Sequence, residues 1–251
     1  MPKISKIFLP LLFGISLSLS CKTAYQPQSV QYTDYRITKE NKPDSSLASM
    51  IRPYADSVSH SMNGVIAVSE IDLEKKQPEG TLGNILADAM LAMARTNYKT
   101  HVDAGFVNYG GIRLPSIPAG DITRGKIFEL APFDNIIVLQ NVSGKVLQQY
   151  LDHIANRWGG WPCAGISWQV KDKKAINVMV DGKPIDSNAI YSIANNDYVA
   201  NGGDDCIMLK GIPQINNGYL FRDAVIEYFS QFTRAGKKLW VKLENRVSNA
   251  E

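Results

Sequence analysis

The sequence predicts a mixed α+β (mixed α/β) domain, and three patterns carry that expectation. From residue 46 onward, segments with helical apolar spacing alternate with short apolar runs bounded by turn residues. Leu82, Ile85, Leu86, Ala89, Met90 and Met93 fall at i, i+3, i+4, i+7, i+8 and i+11, the spacing of an amphipathic helix with one buried face. Val65-Ile66-Ala67-Val68 and Ile136-Ile137-Val138-Leu139 are unbroken apolar runs short enough to be buried strands.

The elements follow in chain order. Leu47, Met50, Ile51, Tyr54 and Val58 recur near helical spacing, and Pro53 is expected to kink or break that helix. Residues 65–68 read as a buried strand and residues 82–93 as the principal helix. Residues 103–107 form a short strand that runs into Asn108-Tyr109-Gly110-Gly111. After the strand at 136–139, Ser143 offers a hydroxyl to cap a helix carrying Val146, Leu147, Tyr150, Leu151 and Ile154. Residues 166–170 and 176–180 read as paired strands, with a turn at Asp181-Gly182. Residues 190–194 form a strand leading to a second glycine pair, Gly202-Gly203. The last helix covers 222–232, with Val225, Ile226, Phe229 and Phe232 inward.

Composition narrows the function classes. The chain is 45% hydrophobic and 20% charged, which is globular and not disordered. Lys and Arg number 27 against 24 Asp and Glu; without the first 20 residues, which hold Lys3 and Lys6, the balance is 25 against 24. A net charge near +1 excludes a nucleic-acid binder driven by bulk charge, though not a local basic pocket. Three cysteines are too few for a disulfide framework or a Cys-rich zinc module. A bond between Cys163 and Cys206 stays open if the chain is exported.

Residues 1–20 read as a signal peptide: Lys3 and Lys6 precede a broken apolar run at 7–19 that is too short to span about 30 Å of hydrocarbon. Cys21 follows directly, in a setting that resembles the lipobox of bacterial lipoproteins, with Ser18 where that motif usually has Leu. Lipidation of Cys21 would anchor the chain to an envelope membrane. Ser18-Leu19-Ser20 also suits a small-x-small cleavage site that would release a soluble secreted protein. Either way the chain is expected to be exported, to the periplasm or cell envelope. Residues 21–45 are polar, with Pro27 and Pro43, and read as a tether to a domain at 46–251; Tyr25, Tyr32 and Tyr35 leave open an edge strand.

Two glycine turns, each leaving a strand, carry the candidate chemistry. In Asn108-Tyr109-Gly110-Gly111-Ile112-Arg113 the paired glycines let a ligand approach the main chain, and Arg113 is a planar bidentate binder of phosphate. In Asn196-Asp197-Tyr198-Val199-Ala200-Asn201-Gly202-Gly203-Asp204, Tyr198 offers an aromatic face and Asp204 a carboxylate suited to a ribose hydroxyl pair. Phosphate, base and sugar contacts together would compose a nucleotide pocket; each turn taken alone could be a plain reversal.

Five ordered motifs then resemble one family: residues 81–89, residues 108–113, Gly120-Asp-Ile-Thr123, Ala131-Pro-Phe-Asp-Asn135 and Ala200-Asn-Gly-Gly-Asp204. They are similar to the C-terminal, substrate-binding domain of 5′-nucleotidases and UDP-sugar hydrolases, over residues 60–247. The resemblance implies a fold of mixed sheets flanked by helices, and a base clamped between two rings, here Phe133 and Tyr198. It further implies Arg113 on phosphate, Asn108 on the base edge, Asp204 on the ribose hydroxyls, and Lys76 near a further phosphate contact. By this reading Gly110, Gly111, Gly202 and Gly203 form the pocket backbone, and the Tyr198 hydroxyl is idle, since the ring face does the work. Asp205-Cys206 departs from the family's usual glycine followed by an aromatic.

Whole enzymes of the family add a metallophosphatase domain with two metal ions. Its His- and Asp-rich motifs do not occur here; His60, His101 and His153 are isolated and read as structural or solvated. No catalytic residue, metal ligand or cofactor is therefore expected in this chain, and no Gly-x-Ser-x-Gly suggests a serine nucleophile. Trp158-Gly-Gly-Trp161-Pro-Cys163 is either an exposed rim that meets a partner or a packed aromatic loop. Three functional readings remain: a nucleotide-binding component serving a separate metallophosphatase chain, a stand-alone nucleotide- or nucleoside-binding lipoprotein, and a hydrolase of unrecognised mechanism.

Overall fold

The computed structural model describes residues 29–250. The expected signal segment, Cys21 and Tyr25 lie outside these residues. Contacts divide the chain into residues 1–48 and 49–251. In the first unit, residues 29–44 are exposed and contain no strand, so Tyr32 and Tyr35 pair with no sheet edge.

The chain then forms α1 (Ser45–Met62), β1 (Val65–Ser69), β2 (Leu73–Glu74), α2 (Thr81–Tyr98), β3 (Ala104–Phe106), β4 (Ser116–Ile117) and β5 (Gly120–Thr123). There follow α3 (Arg124–Leu130), β6 (Ile137–Ser143), α4 (Gly144–Trp158), β7 (Cys163–Ala164), β8 (Ile166–Lys171), β9 (Lys174–Val180) and β10 (Lys183–Pro184). The last elements are β11 (Ile190–Asn196), α5 (Asp197–Ala200), β12 (Gln214–Ile215), α6 (Phe221–Arg234) and β13 (Val247–Asn249). The mixture of helices with mixed sheets is the α+β class read from the sequence.

A five-stranded sheet, ordered β12-β6-β11-β3-β7, is the centre of the second unit. Only its β11–β3 pair is parallel; β6 runs antiparallel to β11 over seven residue pairs, from Ile190 against Ser143 to Asn196 against Ile137. Successive side chains of a strand point to opposite faces. Ile137 and Leu139 of β6, and Ala194 of β11, meet one core with α2 and α6, whereas Val142 and Ile193 meet a second core with α4. Helix α2 supplies the first core with Leu82, Ile85, Leu86, Met90 and Met93, none more than 3% exposed, as its periodicity requires.

The second core is aromatic. Phe106 at the end of β3 packs edge-on to Tyr150 of α4 at 5.1 Å between ring centroids, and Tyr150 packs edge-on to Trp161 at 6.1 Å. The Tyr150 hydroxyl donates to Asn195 Oδ1 at 3.1 Å, so the last turns of β3 and β11 are tied to one helix. Trp161 and Cys163 are buried here, which makes this end of the tryptophan-rich segment packed core and not rim. Ser143 caps α4 as expected, its Oγ accepting from the Val146 N–H. The pair β8–β9 is antiparallel, and Asp181 and Gly182, both left-handed, turn β9 into β10.

Two elements depart from expectation. Helix α1 runs unbroken through Pro53, where a kink or break is expected, and despite its apolar spacing it buries none of its residues. Strand β1 is only half-buried: Ala67 and Ser69 face inward while Val65 is exposed, because only one face of the β1–β5 ribbon lies on the core.

Candidate functional site

Strand topology brings three loops to one place. Because β3 and β11 are parallel neighbours, their C-terminal ends emerge side by side: β3 leads to Asn108 and β11 to Asn196. Because β6 is antiparallel to β11, with Ile137 opposite Asn196, the start of β6 lies at the same edge, and the segment 131–135 precedes it. Between these loops lies a cavity of about 320 Å³ lined by Asn108, Gly110, Gly111, Arg113, Phe133, Asn135, Tyr198 and Asp204. That volume is at the lower end of small-molecule clefts, which run roughly 300–1,000 Å³.

A hydrogen-bonded chain of polar side chains forms one wall. Asn196 Nδ2 donates to Asn108 Oδ1 at 2.9 Å, and Asn108 Nδ2 donates to Asp204 Oδ2 at 2.9 Å. The Tyr198 hydroxyl donates to Asp204 Oδ1 and accepts from the Asp204 N–H, both at 3.2 Å. Asn108 is 5% exposed and engaged at both ends of its amide, so it aims Asp204 while lining the cavity itself. An ionised carboxylate has about four acceptor sites. With one taken on each oxygen, Asp204 keeps capacity for two hydroxyl donors. The Tyr198 hydroxyl is thus employed, contrary to the expectation that only its ring face matters.

The glycines divide by role. A Cβ at Gly203 would lie 2.5 Å from Tyr198 Cε1 and 2.6 Å from the Tyr198 carbonyl oxygen, so glycine is what lets the ring lie against this turn. A Cβ at Gly111 would fall 2.6 Å from Asn108 Oδ1. Gly110 has nothing within 4 Å of that position and leaves open space on the cavity side. Gly202 and Gly203 do not line the cavity; they shape the turn that carries Asp204.

Phe133 and Arg113 line the same cavity. Phe133 and Tyr198 are each 48% exposed, high for aromatic rings and consistent with faces left for a ligand. The Phe133 segment is held from behind by Arg222 of α6, which donates to Asp134 Oδ1 at 2.6 Å and to the Pro132 carbonyl at 3.2 Å, and lies 4.3 Å over the Phe128 ring. Arg113 lies 5.8 Å over Phe133 and donates one long bond, 3.4 Å, to the Gly110 carbonyl. Its remaining N–H groups have no protein acceptor among the described residues.

Lys76, named by resemblance as a further phosphate contact, is instead paired with Glu74 at 2.5 Å. Lys75 takes the place near Arg113: it donates to the Ile112 carbonyl at 2.8 Å and lies 4.0 Å over the Tyr109 ring. Burial lowers the Lys75 pKa, and the neighbouring charge of Arg113 lowers it further. Nothing in the residue pattern distinguishes Lys75 from Lys76. Asn135 falls within a motif that gives it no role, and His153, read as structural or solvated, contacts the Asp204 carbonyl oxygen at 2.9 Å.

Cys163 and Cys206 are both free and buried, so the disulfide left open by the sequence is not formed. Among the described residues no group of three or more His, Cys, Asp or Glu is placed to hold a metal ion. Among the same residues no helix is long and apolar enough to cross a membrane.

The 5′-nucleotidase C-terminal domain family matches residues 58–211. The chain belongs to this family. Its similarity to protein UshA of Salmonella pullorum is 30% identity over 173 residues, 64% of this chain and 30% of that protein. With a 5′-nucleotidase of Vibrio cholerae it is 30% identical over 196 residues, 76% of this chain and 35% of the other. The chain thus spans about a third of the length of these curated relatives. Among solved structures, the 5′-nucleotidase precursor of Thermus thermophilus superposes with a TM-score of 0.70 at 27% identity, covering 82% of this chain and 44% of that one. The family's domain is normally joined to a metallophosphatase domain.

Proposed function

We propose that this chain is the nucleotide-binding component of a 5′-nucleotidase-type phosphoester hydrolase in nucleotide catabolism, and that it presents its pocket to a separate metallophosphatase chain. The observation that carries the reading is the meeting of two half-exposed rings, an exposed guanidinium and a braced carboxylate around one cavity. Phe133 and Tyr198 would take the base between them. Asp204 would accept from the two ribose hydroxyls. Arg113, with the positive field of Lys75 behind it, would hold a phosphate bidentately. Membership of the family and the names of the relatives support the ligand class. The part assigned to this chain is to bind and orient; the metal pair of the partner would supply the activated water and the charge stabilisation.

As to location, we propose export through residues 1–20, a lipid anchor at Cys21 and a tether over 21–45. Wild type should then label with palmitate and partition with membranes, and a Cys21→Ser variant should do neither.

The function is tested by calorimetry with AMP and adenosine. Arg113→Ala should weaken AMP far more than adenosine, because only AMP presents phosphate. Phosphate release should require addition of the partner phosphatase. Robust, chelator-sensitive hydrolysis by the purified chain alone would overturn the assignment of catalysis to a partner. Unchanged AMP affinity in both Phe133→Ala and Tyr198→Ala, with the fold intact, would overturn the pocket and leave the rings as ordinary surface.

A further inference from the structure

The turn that carries Asp204 is conformationally expensive. Asp204 has φ 52° and ψ 29°, and Asp205 has φ 59°, so two successive residues with side chains occupy the left-handed region, directly after Gly202 at φ 93° and Gly203. Aspartate tolerates that region better than most residues, but such conformations persist only where the surroundings over-determine them.

The surroundings here are one face of α4. His153 and Arg157 lie four residues apart, on the same side of the helix. His153 Nε2 is 2.9 Å from the Asp204 carbonyl oxygen, and since a carbonyl only accepts, Nε2 carries the proton and donates. Arg157 Nη1 donates to Asp205 Oδ2. The Asp204 residue is therefore gripped at two ends: its carboxylate by Asn108 and Tyr198 on the cavity side, its main chain by His153 on the helix side.

We propose that His153 and Arg157 are positioning residues that hold the left-handed Asp204-Asp205 turn and thereby set the pocket's preference for a ligand with a vicinal hydroxyl pair. Neither lines the cavity. The proposal rests on the nucleotide reading of the cavity.

The test is the ratio of affinities for AMP and 2′,3′-dideoxy-AMP, measured by calorimetry on the mature chain. Wild type should favour AMP. His153→Leu, which keeps bulk but cannot donate, should lower the ratio about 2- to 10-fold, the range of one lost hydrogen bond, with dideoxy-AMP affinity unchanged. His153→Gln, which can donate from a similar position, should restore it. Arg157→Gln should lower the ratio about 2- to 5-fold, as an exposed pair allows. The same change in an Asp205→Gly background should do nothing, because glycine adopts φ near 60° without a clasp. A wild type that binds the two ligands alike overturns the nucleotide reading and this proposal with it. A wild type that favours AMP, with the ratio intact in His153→Leu and Arg157→Gln, overturns the proposal alone. So does an equal loss of both ligands, which would mark these residues as general supports.

Discussion

Arg222 is the residue whose loss should travel farthest through the site, and Arg222→Met measures it. Methionine keeps the length and the apolar stem but removes every donor. Three kinds of contact are lost. The ion pair with Asp134 is worth little, about 0–1 kcal/mol, because Asp134 is 80% exposed and stays hydrated. The charged hydrogen bonds to the Ala131 and Pro132 carbonyls matter more: one such bond is worth about 1.5–3 kcal/mol, and the buried end of the segment is left with an unmet acceptor. The stacking over Phe128, at 4.3 Å, adds about 0.5–1 kcal/mol. The loss should total about 2–5 kcal/mol, which for a domain of this size lowers Tm by roughly 4–20 °C. The freed 131–135 segment should also cost AMP affinity several-fold, because Phe133 hangs from it. A melt followed by circular dichroism and a titration with AMP read the two effects. Asp134→Asn is the control, with at most about 1 kcal/mol expected. If Arg222→Met melts within about 2 °C of wild type and binds AMP equally well, the segment is held by something other than this guanidinium and the reasoning fails.

Three further outcomes follow from the same geometry. Tyr198→Phe should weaken AMP about 2- to 10-fold and leave dideoxy-AMP unchanged, because it loses only the hydroxyl that braces Asp204, whereas Tyr198→Ala should weaken both, by about 5- to 150-fold for the lost stacking face; identical AMP affinity in Tyr198→Phe and wild type would refute the brace. Gly203→Ala should cost about 1–3 kcal/mol of stability and most of the AMP affinity, since its Cβ would fall 2.5 Å from the Tyr198 ring, and a variant that melts and binds AMP like wild type would contradict this. In a Cys21→Ser background, both remaining thiols should react slowly with a disulfide reagent at pH 8 and fully in guanidinium; burial, reinforced by the charge of Asp204, pushes the Cys206 thiol up to about 12, so reactivity should climb with pH toward that value, and rapid native labelling of either thiol at pH 8 would contradict their burial.

Much of this was legible because it depends on local pattern. The periodicity of Leu82 to Met93 alone identifies a helix with a buried face, and Ser143 identifies a cap by its own chemistry. What failed has a common cause. Leu47 to Val58 also shows helical spacing, but spacing says which residues share a face and not whether anything covers it. Val65 to Val68 reads as wholly buried because its apolar run cannot report that the ribbon has one open side. At the site, Arg113, Tyr198 and Asp204 carry chemistry visible in their side-chain types, whereas Phe133 was accessible only by resemblance. The employment of the Tyr198 hydroxyl, and of His153, hangs on two left-handed residues at Asp204 and Asp205, and an aspartate pair permits that conformation without specifying it. Lys75 and Lys76 are neighbours of the same type, and only the path of the strand β2 decides which one turns toward Arg113.

The descent of all three binding loops from adjacent central strands has a thermodynamic consequence. In a register where Asn196 sits opposite Ile137, a slip of one residue would turn Asn196 to the other face of the sheet and separate the loops it ties together. The pocket therefore depends on the pairing of β6, β11 and β3 in this register. A ligand that binds this paired state and not the unfolded chain raises global stability by an amount set by its concentration relative to Kd: about 2.7 kcal/mol at 100 times Kd. Heat denaturation becomes, for this molecule, a reader of chemical identity, in which each candidate ligand reports its own affinity as a displacement of the melting curve.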